Sequence, residues 1–345
     1  MSNLIDLASN FNRLGLPGKL QDYVESIQQE AISSYAGDSM GKLEMSKIAS
    51  FFGVKGGEVM LTDGATEGIA LVFEYLKPQT VYTLKPTFWE YSFFAQKHGS
   101  NLVEITDDGE IIDALEKTLD EGPSGLVVLC NPNNPTGRRF KPGFIVQLAK
   151  KYPTFTFLVD ETYLWFSGNY STNTYAREAV RTENILTVTS LSKILSIPGL
   201  RIGFLMGSQL HVSELSRLKV PYSVLPLQFY VAEYALLNCA KFFSDSVQAA
   251  KSDRNAITHF LDKYADTFTY IKPTANFVFI KAVRSGLAKY LLEKDIRVRD
   301  GAEFGEMYAS YIRMRLCLPD SSEGKQVLNA LSSFATTVDM GMDIG

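Results

Sequence analysis

At 345 residues the chain exceeds a typical single domain of about 100–200 residues, so one large domain with a smaller one beside it is expected. A composition of 46% hydrophobic and 21% charged residues excludes a disordered or low-complexity chain, and a formal net charge of -4 gives no electrostatic reason for a nucleic-acid partner. Three scattered cysteines without CxxC spacing exclude a disulfide framework or zinc site, and the absence of a long uncharged apolar run argues against a membrane partner, leaving a cytoplasmic location as the default.

Residues 1–18 read as an extended arm punctuated by Pro17-Gly18, and a helix is expected over residues 19–33. Gly37 and Gly41 break the chain before a second helix over 42–52, where Leu43, Ile48, Phe51 and Phe52 approximate one apolar face. A short strand is expected over 58–62, followed by a helix from Gly64 to Leu76. Apolar runs at 81–84, 102–105, 126–130, 155–159 and 185–189 then alternate with helical or turn segments. That alternation predicts an α/β fold with a mostly parallel sheet sandwiched by helices and sites at the strand ends. Residues 228–264 carry one long helical periodicity, as expected of a helix linking two domains. Beyond it, strands at 277–280 and 312–316 with helices between and after them read as a smaller α+β domain built from the C-terminal part and the N-terminal arm, and residues 337–345 read as an exposed tail. The expected division is an arm and helix at 1–35, a large domain at 36–235 and a small domain at 236–345.

Four strings carry chemistry. In the first, Thr62-Asp63-Gly64-Ala65-Thr66-Glu67-Gly68, a strand meets a glycine turn and a helix start, whose backbone amides can receive a phosphate; an ordinary helix start is the alternative. The second, Cys130-Asn131-Pro132-Asn133-Asn134-Pro135-Thr136-Gly137, supplies amide donors at a strand end or builds a rigid turn. In the third, Asp160-Glu161-Thr162-Tyr163, the aspartate closes an apolar strand, either to hold a ring nitrogen protonated or to cap a helix. The fourth runs from Ser190 through Lys193 to Arg201. A lysine among hydroxyl residues suits a Schiff base with a carbonyl compound, and the arginine's planar fork suits a phosphate.

Taken together and in order, these strings resemble the class I/II aminotransferase family of fold-type I pyridoxal-phosphate enzymes. The resemblance implies pyridoxal 5′-phosphate as cofactor, Lys193 as its covalent anchor and proton shuttle, and Asp160 as the partner of its ring nitrogen. It further implies Tyr163 and Asn134 at the ring oxygen, and Ala65, Thr66, Ser190 and Arg201 around the phosphate. Phe88 falls where the family stacks an aromatic on the ring, with a core position as the alternative. Tyr35 resembles a tyrosine lent to the neighbouring subunit, which implies a homodimer, although a simple loop tyrosine fits equally. Arg313 matches the family's carboxylate-binding arginine; Arg315, two residues on, shares its strand face and competes for the role.

The arm from Ile5 to Gly15 and the string Ile296-Arg297-Val298-Arg299-Asp300-Gly301 are most similar to histidinol-phosphate aminotransferases and threonine-phosphate decarboxylases. Arg299 falls where both place an arginine for the substrate phosphate, and an exposed strand-end arginine is the alternative. Arg13-Leu14 stands where the first group usually has Pro-Tyr, and the His-Gly-Gly segment common in the second is missing. The expected activity is transamination of an amino acid or amino-phosphate by ping-pong chemistry. Decarboxylation on the same machinery is the alternative, and a silent effector-binding domain is a third reading.

Overall fold

The computed structural model describes residues 4–35, 43–106 and 110–339. In chain order the strands are β1 (Ile5–Asp6), β2 (Val59–Asp63), β3 (Thr80–Lys85), β4 (Asn101–Thr106), β5 (Leu126–Cys130), β6 (Thr156–Asp160), β7 (Ile185–Ser190), β8 (Ile202–Met206), β9 (Phe268–Tyr270), β10 (Phe277–Ala282), β11 (Ile296–Arg297), β12 (Arg299–Asp300) and β13 (Tyr311–Arg315).

Seven of these form a central sheet in the order β2-β8-β7-β6-β5-β3-β4. Its pairings are parallel from β7 through β4, while β8 runs antiparallel to both β7 and β2. Alternate residues of a strand face opposite sides, and both sides here are apolar. Val128, Leu158 and Val188 pack with Ile69 and Val72 of the Gly64–Leu76 helix. Val127, Leu129, Phe157 and Val159 pack on the other side with Leu115 and Leu148 of the Ile111–Glu121 and Phe144–Lys151 helices. Burial on two faces explains the uninterrupted apolar runs, each such side chain contributing about 1.5–3 kcal/mol.

A second, antiparallel sheet has the order β12-β13-β10-β9. Its core joins Val278, Ile280 and Met314 to Phe334 of the Ser322–Asp339 helix and to Ile5 and Leu7 of the arm. The arm enters as a strand, β1 pairing parallel with β11. The expected architecture therefore holds: a large, mostly parallel sheet sandwiched by helices, and a smaller α+β unit that includes the arm.

Several local expectations are corrected. The second helix covers only Ser46–Phe52, because the Ser46 amide donates to Glu44 Oε1 at 2.9 Å, a side-chain cap ahead of the first turn. Gly37, Gly41 and Lys42 lie outside the described residues. The single long helix is two, Pro226–Asn238 and Ala240–Asp262. Cys239 leaves the helical region at φ -103° and ψ 22°, just after Asn238 turns its amide onto the Tyr234 carbonyl. Strands β8, β9, β11 and β12 add to those expected; β8 is buried throughout between β2 and β7. Residues 337–339, expected in an exposed tail, continue the final helix, and 340–345 lie outside the described residues. No helix among the described residues is long and apolar enough to cross a membrane.

Candidate active site

Parallel strands present their carboxyl ends side by side, and the singled-out side chains collect there. Asp160 ends β6, Ser190 ends β7 with Lys193 three residues on, and Asn134 follows β5. Beside them the Gly64–Leu76 helix brings Ala65 and Thr66 in its first turn. Its approach depends on two glycines. Gly64 adopts φ +72° with its amide donating to the Arg201 carbonyl at 2.9 Å, and a side chain there would collide with the Arg201 guanidinium. A side chain at Gly203 would run into the Gly64 backbone, so only glycine lets β8 lie this close to the helix start.

One cavity of about 360 Å³ is lined by Ala65, Thr66, Phe88, Asn134, Asp160, Tyr163, Ser190, Lys193, Arg201, Arg299 and Arg313. Tyr35 is not among its walls. That side chain is 75% exposed, with its ring 4.9 Å from that of Tyr222. Arg315 also lies elsewhere: it donates to the carbonyls of Asp6 and Leu316, fastening the arm to β13.

Asp160 is buried, and both its oxygens accept hydrogen bonds, Oδ1 from the Thr162 amide at 2.9 Å and Oδ2 from the Tyr91 hydroxyl at 2.8 Å. Burial pushes its carboxyl up, and the bonds from Thr162 and Tyr91 oppose that rise. Lys193 moves the other way. Burial, and then the cations Arg313 and Arg201, bring its ammonium down to about 8, with Glu90 opposing. Its Nζ stands 5.0 Å from the Phe11 ring centre. Tyr163, pushed up to about 12 chiefly by burial, stays a neutral phenol, and its hydroxyl accepts from the Asn10 amide at 3.2 Å. Ser190 donates to the Ile202 carbonyl at 2.8 Å or to Ser192 at 2.9 Å, which leaves the Ser192 hydrogen able to point into the cavity.

At the other end Arg313, on β13, is buried and held by neutral acceptors. Nη1 donates to Asn134 Oδ1 at 2.8 Å and Nη2 to the Ala8 carbonyl, while Nε has no partner among the described residues. Arg299 is its register partner on β12 and pairs with Glu303 at 3.0 Å. Arg201 reaches back to Asp63, with Nη2 3.3 Å from its carbonyl and Nε 3.9 Å from Oδ1.

The sequence reading missed part of the wall. Ala8, Ser9, Asn10 and Phe11 of the arm, with Trp89, Glu90, Ser192 and Phe304, line the same cavity. The arm is tied to the segment that carries Lys193: the Asn12 amide donates to the Lys193 carbonyl at 3.0 Å and its side chain to the Ile194 carbonyl at 2.7 Å. Ser192 lies inside the lysine string and was within reach of that signal. Tyr91, which braces Asp160, had none beyond helical spacing from its neighbours.

The family profile described as aminotransferase class I and II matches residues 2–331. A histidinol-phosphate aminotransferase of Hydrogenobaculum sp. is 26% identical over 341 residues, which is 97% of this chain and 94% of that protein. An adenosylcobalamin biosynthesis bifunctional protein of Leptospira interrogans is also 26% identical, over 96% of this chain but only 38% of its own length. Among solved structures, the histidinol-phosphate aminotransferase from Clostridium acetobutylicum shares the fold with a TM-score of 0.83, at 24% identity over 97% of this chain and 100% of that one.

Proposed function

The chain belongs to the class I and II aminotransferases, and we propose that it moves the amino group of a small amino compound bearing a phosphate or carboxylate, gripped by Arg299 and Arg313, to an oxo acid. Enzymes of this family use pyridoxal 5′-phosphate, which supplies an electron sink for charge developing at the substrate Cα. The cavity's donor set fits that group. Asp160 offers a buried carboxylate for a protonated ring nitrogen. Tyr163 and the Asn134 amide offer neutral donors for a ring oxygen. Helix-start amides at Ala65 and Thr66, hydroxyls at Ser190 and Ser192 and the Arg201 guanidinium suit a phosphate. Phe88 stands on the wall as a stacking face.

In this reading Lys193 is both nucleophile and proton carrier, and its lowered pKa matters because only the neutral amine can attack a carbonyl or accept a proton. Nζ would take the proton from the substrate Cα and hold it until it is returned. Asp160, kept in place by Tyr91 and Thr162, would hold the ring nitrogen protonated. Arg313 would take a substrate carboxylate with two donors, and Arg299 an outer anionic group. The observation that carries this substrate class is Arg313 itself, a buried guanidinium on the cavity wall whose acceptors among the described residues are neutral oxygens. A buried cation held this way favours an anion.

The enzyme is proposed to work as a homodimer in the cytoplasm, without a nucleic-acid or membrane partner. Exposed Ile32, Tyr35, Tyr222 and Leu225 support a partner surface next to Tyr35, consistent with lending that tyrosine to a second subunit. The proposed division into 1–35, 36–235 and 236–345 is supported by a central sheet that begins at Val59 and ends at Met206 and a smaller sheet spanning Phe268 to Arg315. The test is to incubate the purified protein with amino acids and amino-phosphates, with and without 2-oxoglutarate, and to identify products by mass spectrometry. Glutamate formed together with the matching oxo compound or aldehyde is expected. Carbon dioxide released without consumption of 2-oxoglutarate would replace transamination by decarboxylation.

A further inference from the structure

One carboxyl group in the cavity has no part in the chemistry above. Glu90 is the first residue of the Glu90–Lys97 helix, two residues beyond Phe88, and it projects into the cavity. Its Oε1 accepts the Thr66 hydroxyl at 3.2 Å, and its Oε2 is buried without a partner among the described residues. The charged groups that act on it are Asp160, Arg201 and Lys193. Burial is the largest influence and raises its carboxyl above the ordinary range; Asp160 adds to the rise, and Thr66, Arg201 and Lys193 oppose it.

Thr66 has a single hydroxyl hydrogen. While Glu90 is ionised, that hydrogen points at Oε1, and the hydroxyl offers only lone pairs in other directions. An anionic phosphate oxygen is likewise an acceptor, so the carboxylate and a phosphate at this helix start compete for one hydrogen and repel each other. A proton on Glu90 removes both conflicts. The carboxylic acid then donates to Thr66 Oγ1, and the Thr66 hydrogen turns to the phosphate. We propose that Glu90 takes one proton from solvent when a phosphate monoester occupies the site at Ala65 and Thr66, so that cofactor retention is tied to pH through this side chain. No covalent bond other than the new O–H is made, and the charge of the site changes by one unit.

The inference rests on the cofactor reading, and the probe is chosen to separate the two. Pyridoxine 5′-phosphate has an alcohol in place of the aldehyde and cannot bond to Lys193. It would be titrated calorimetrically into cofactor-stripped protein in buffers of different ionisation heat. Glu90→Gln supplies a permanent donor to Thr66 and mimics the protonated state. The wild type should take up more protons than Glu90→Gln, the difference approaching about one per site once the free carboxyl is ionised. Its affinity relative to the variant should fall by up to about tenfold per pH unit above that point and match it at the acid end. In a Thr66→Ala background the same Glu90→Gln change should produce a smaller difference, because only the charge repulsion between Glu90 and the phosphate is left. Equal proton counts in wild type and variant, or an affinity ratio independent of pH, would overturn the inference and leave the cofactor assignment intact. Failure of all four proteins to bind the probe would remove both.

Discussion

Asp160 and Ser190 close two strands of a seven-stranded sheet, whereas Arg299 and Arg313 ride on a four-stranded one that meets the arm. The first pair is placed by backbone: β7 is buried along its whole length and β6 at all but one residue, so neither carboxyl end can move without breaking the main core. The second pair is placed by tertiary contacts between distant segments. Arg313 reaches across 179 positions to Asn134 and 305 to Ala8, and Asn12 reaches 182 to Ile194. One end of the cavity is thus held rigidly, as the proposed cofactor chemistry requires. The other is built on a small sheet and an arm, where, on the proposed reading, selectivity for a substrate would be adjustable at least cost to stability.

The largest expected effect breaks the rigid end at its reactive atom. Lys193→Ala should lower kcat roughly 10²–10⁴-fold, as removal of a positioned acid–base group does, and abolish the absorbance of lysine-bound cofactor. Circular dichroism should remain that of the wild type, because the backbone around Lys193 is held by neighbours rather than by its side chain. Retained cofactor absorbance in Lys193→Ala would move the covalent anchor to another lysine.

At the adjustable end, Arg313→Ala should cost kcat/KM about 10–200-fold, the equivalent of about 1.5–3 kcal/mol for a hydrogen bond to a charged group. Cofactor affinity should change much less. Arg315→Gln, at a side chain that donates to the Asp6 and Leu316 carbonyls, should stay within a few-fold of wild type. A loss at Arg315 equal to that at Arg313 would reverse the assignment of the carboxylate clamp.

The pH dependence sharpens the comparison, because it reads the electrostatic link between the two ends. Lys193 sits near 8 partly through Arg313. In cofactor-stripped protein its reaction with an aldehyde, trapped by borohydride, should rise with pH and level off above about pH 8, since the neutral amine is the reactive form. Arg313→Met removes a nearby cation, so the midpoint should move upward. An unchanged midpoint would mean that burial and Arg201 set the lysine without Arg313.

The two ends also differ in how legible they are in the sequence. Ala65 to Thr66, Asn134, Asp160 to Tyr163 and Ser190 to Arg201 are short strings, each next to a strand end, so that sequence neighbours become site neighbours. The arm was read as an extended segment, but nothing in Ala8 to Phe11 signals that it walls the cavity, because that placement depends on Leu7 and Ile5 joining a core formed some 270 residues later. Arg313 and Arg315 were inseparable by spacing alone. The structure separates them, because Arg313 is opposite Arg299 and Phe279 whereas Arg315 is opposite Phe277 and beside the arm. Periodicity likewise could not reveal the break at Cys239, where the backbone leaves the helical region beside the Asn238 bond to the Tyr234 carbonyl.

The smallest expected effect tests whether the arm's attachment is part of the site or only holds it near. Arg13 pairs with Asp253 on the Ala240–Asp262 helix; Arg13 is 22% exposed and Asp253 2%. Removing the cation in Arg13→Leu leaves a buried carboxylate without its partner, at a cost of about 1–3 kcal/mol in thermal or denaturant unfolding. Burial already raises the Asp253 carboxyl, and Arg13 is the main opposing influence, so the variant's folded-state value rises further. An acid raised above its unfolded value loses stability as pH climbs, so the deficit of the variant should shrink as pH is lowered and the carboxyl protonates. If the arm's position governs the cavity wall, KM for the amino substrate should rise a few-fold while kcat holds. A stability loss with no change in KM would instead assign the wall to the Asn12 bonds with Lys193 and Ile194, which connect the arm directly to the rigid end.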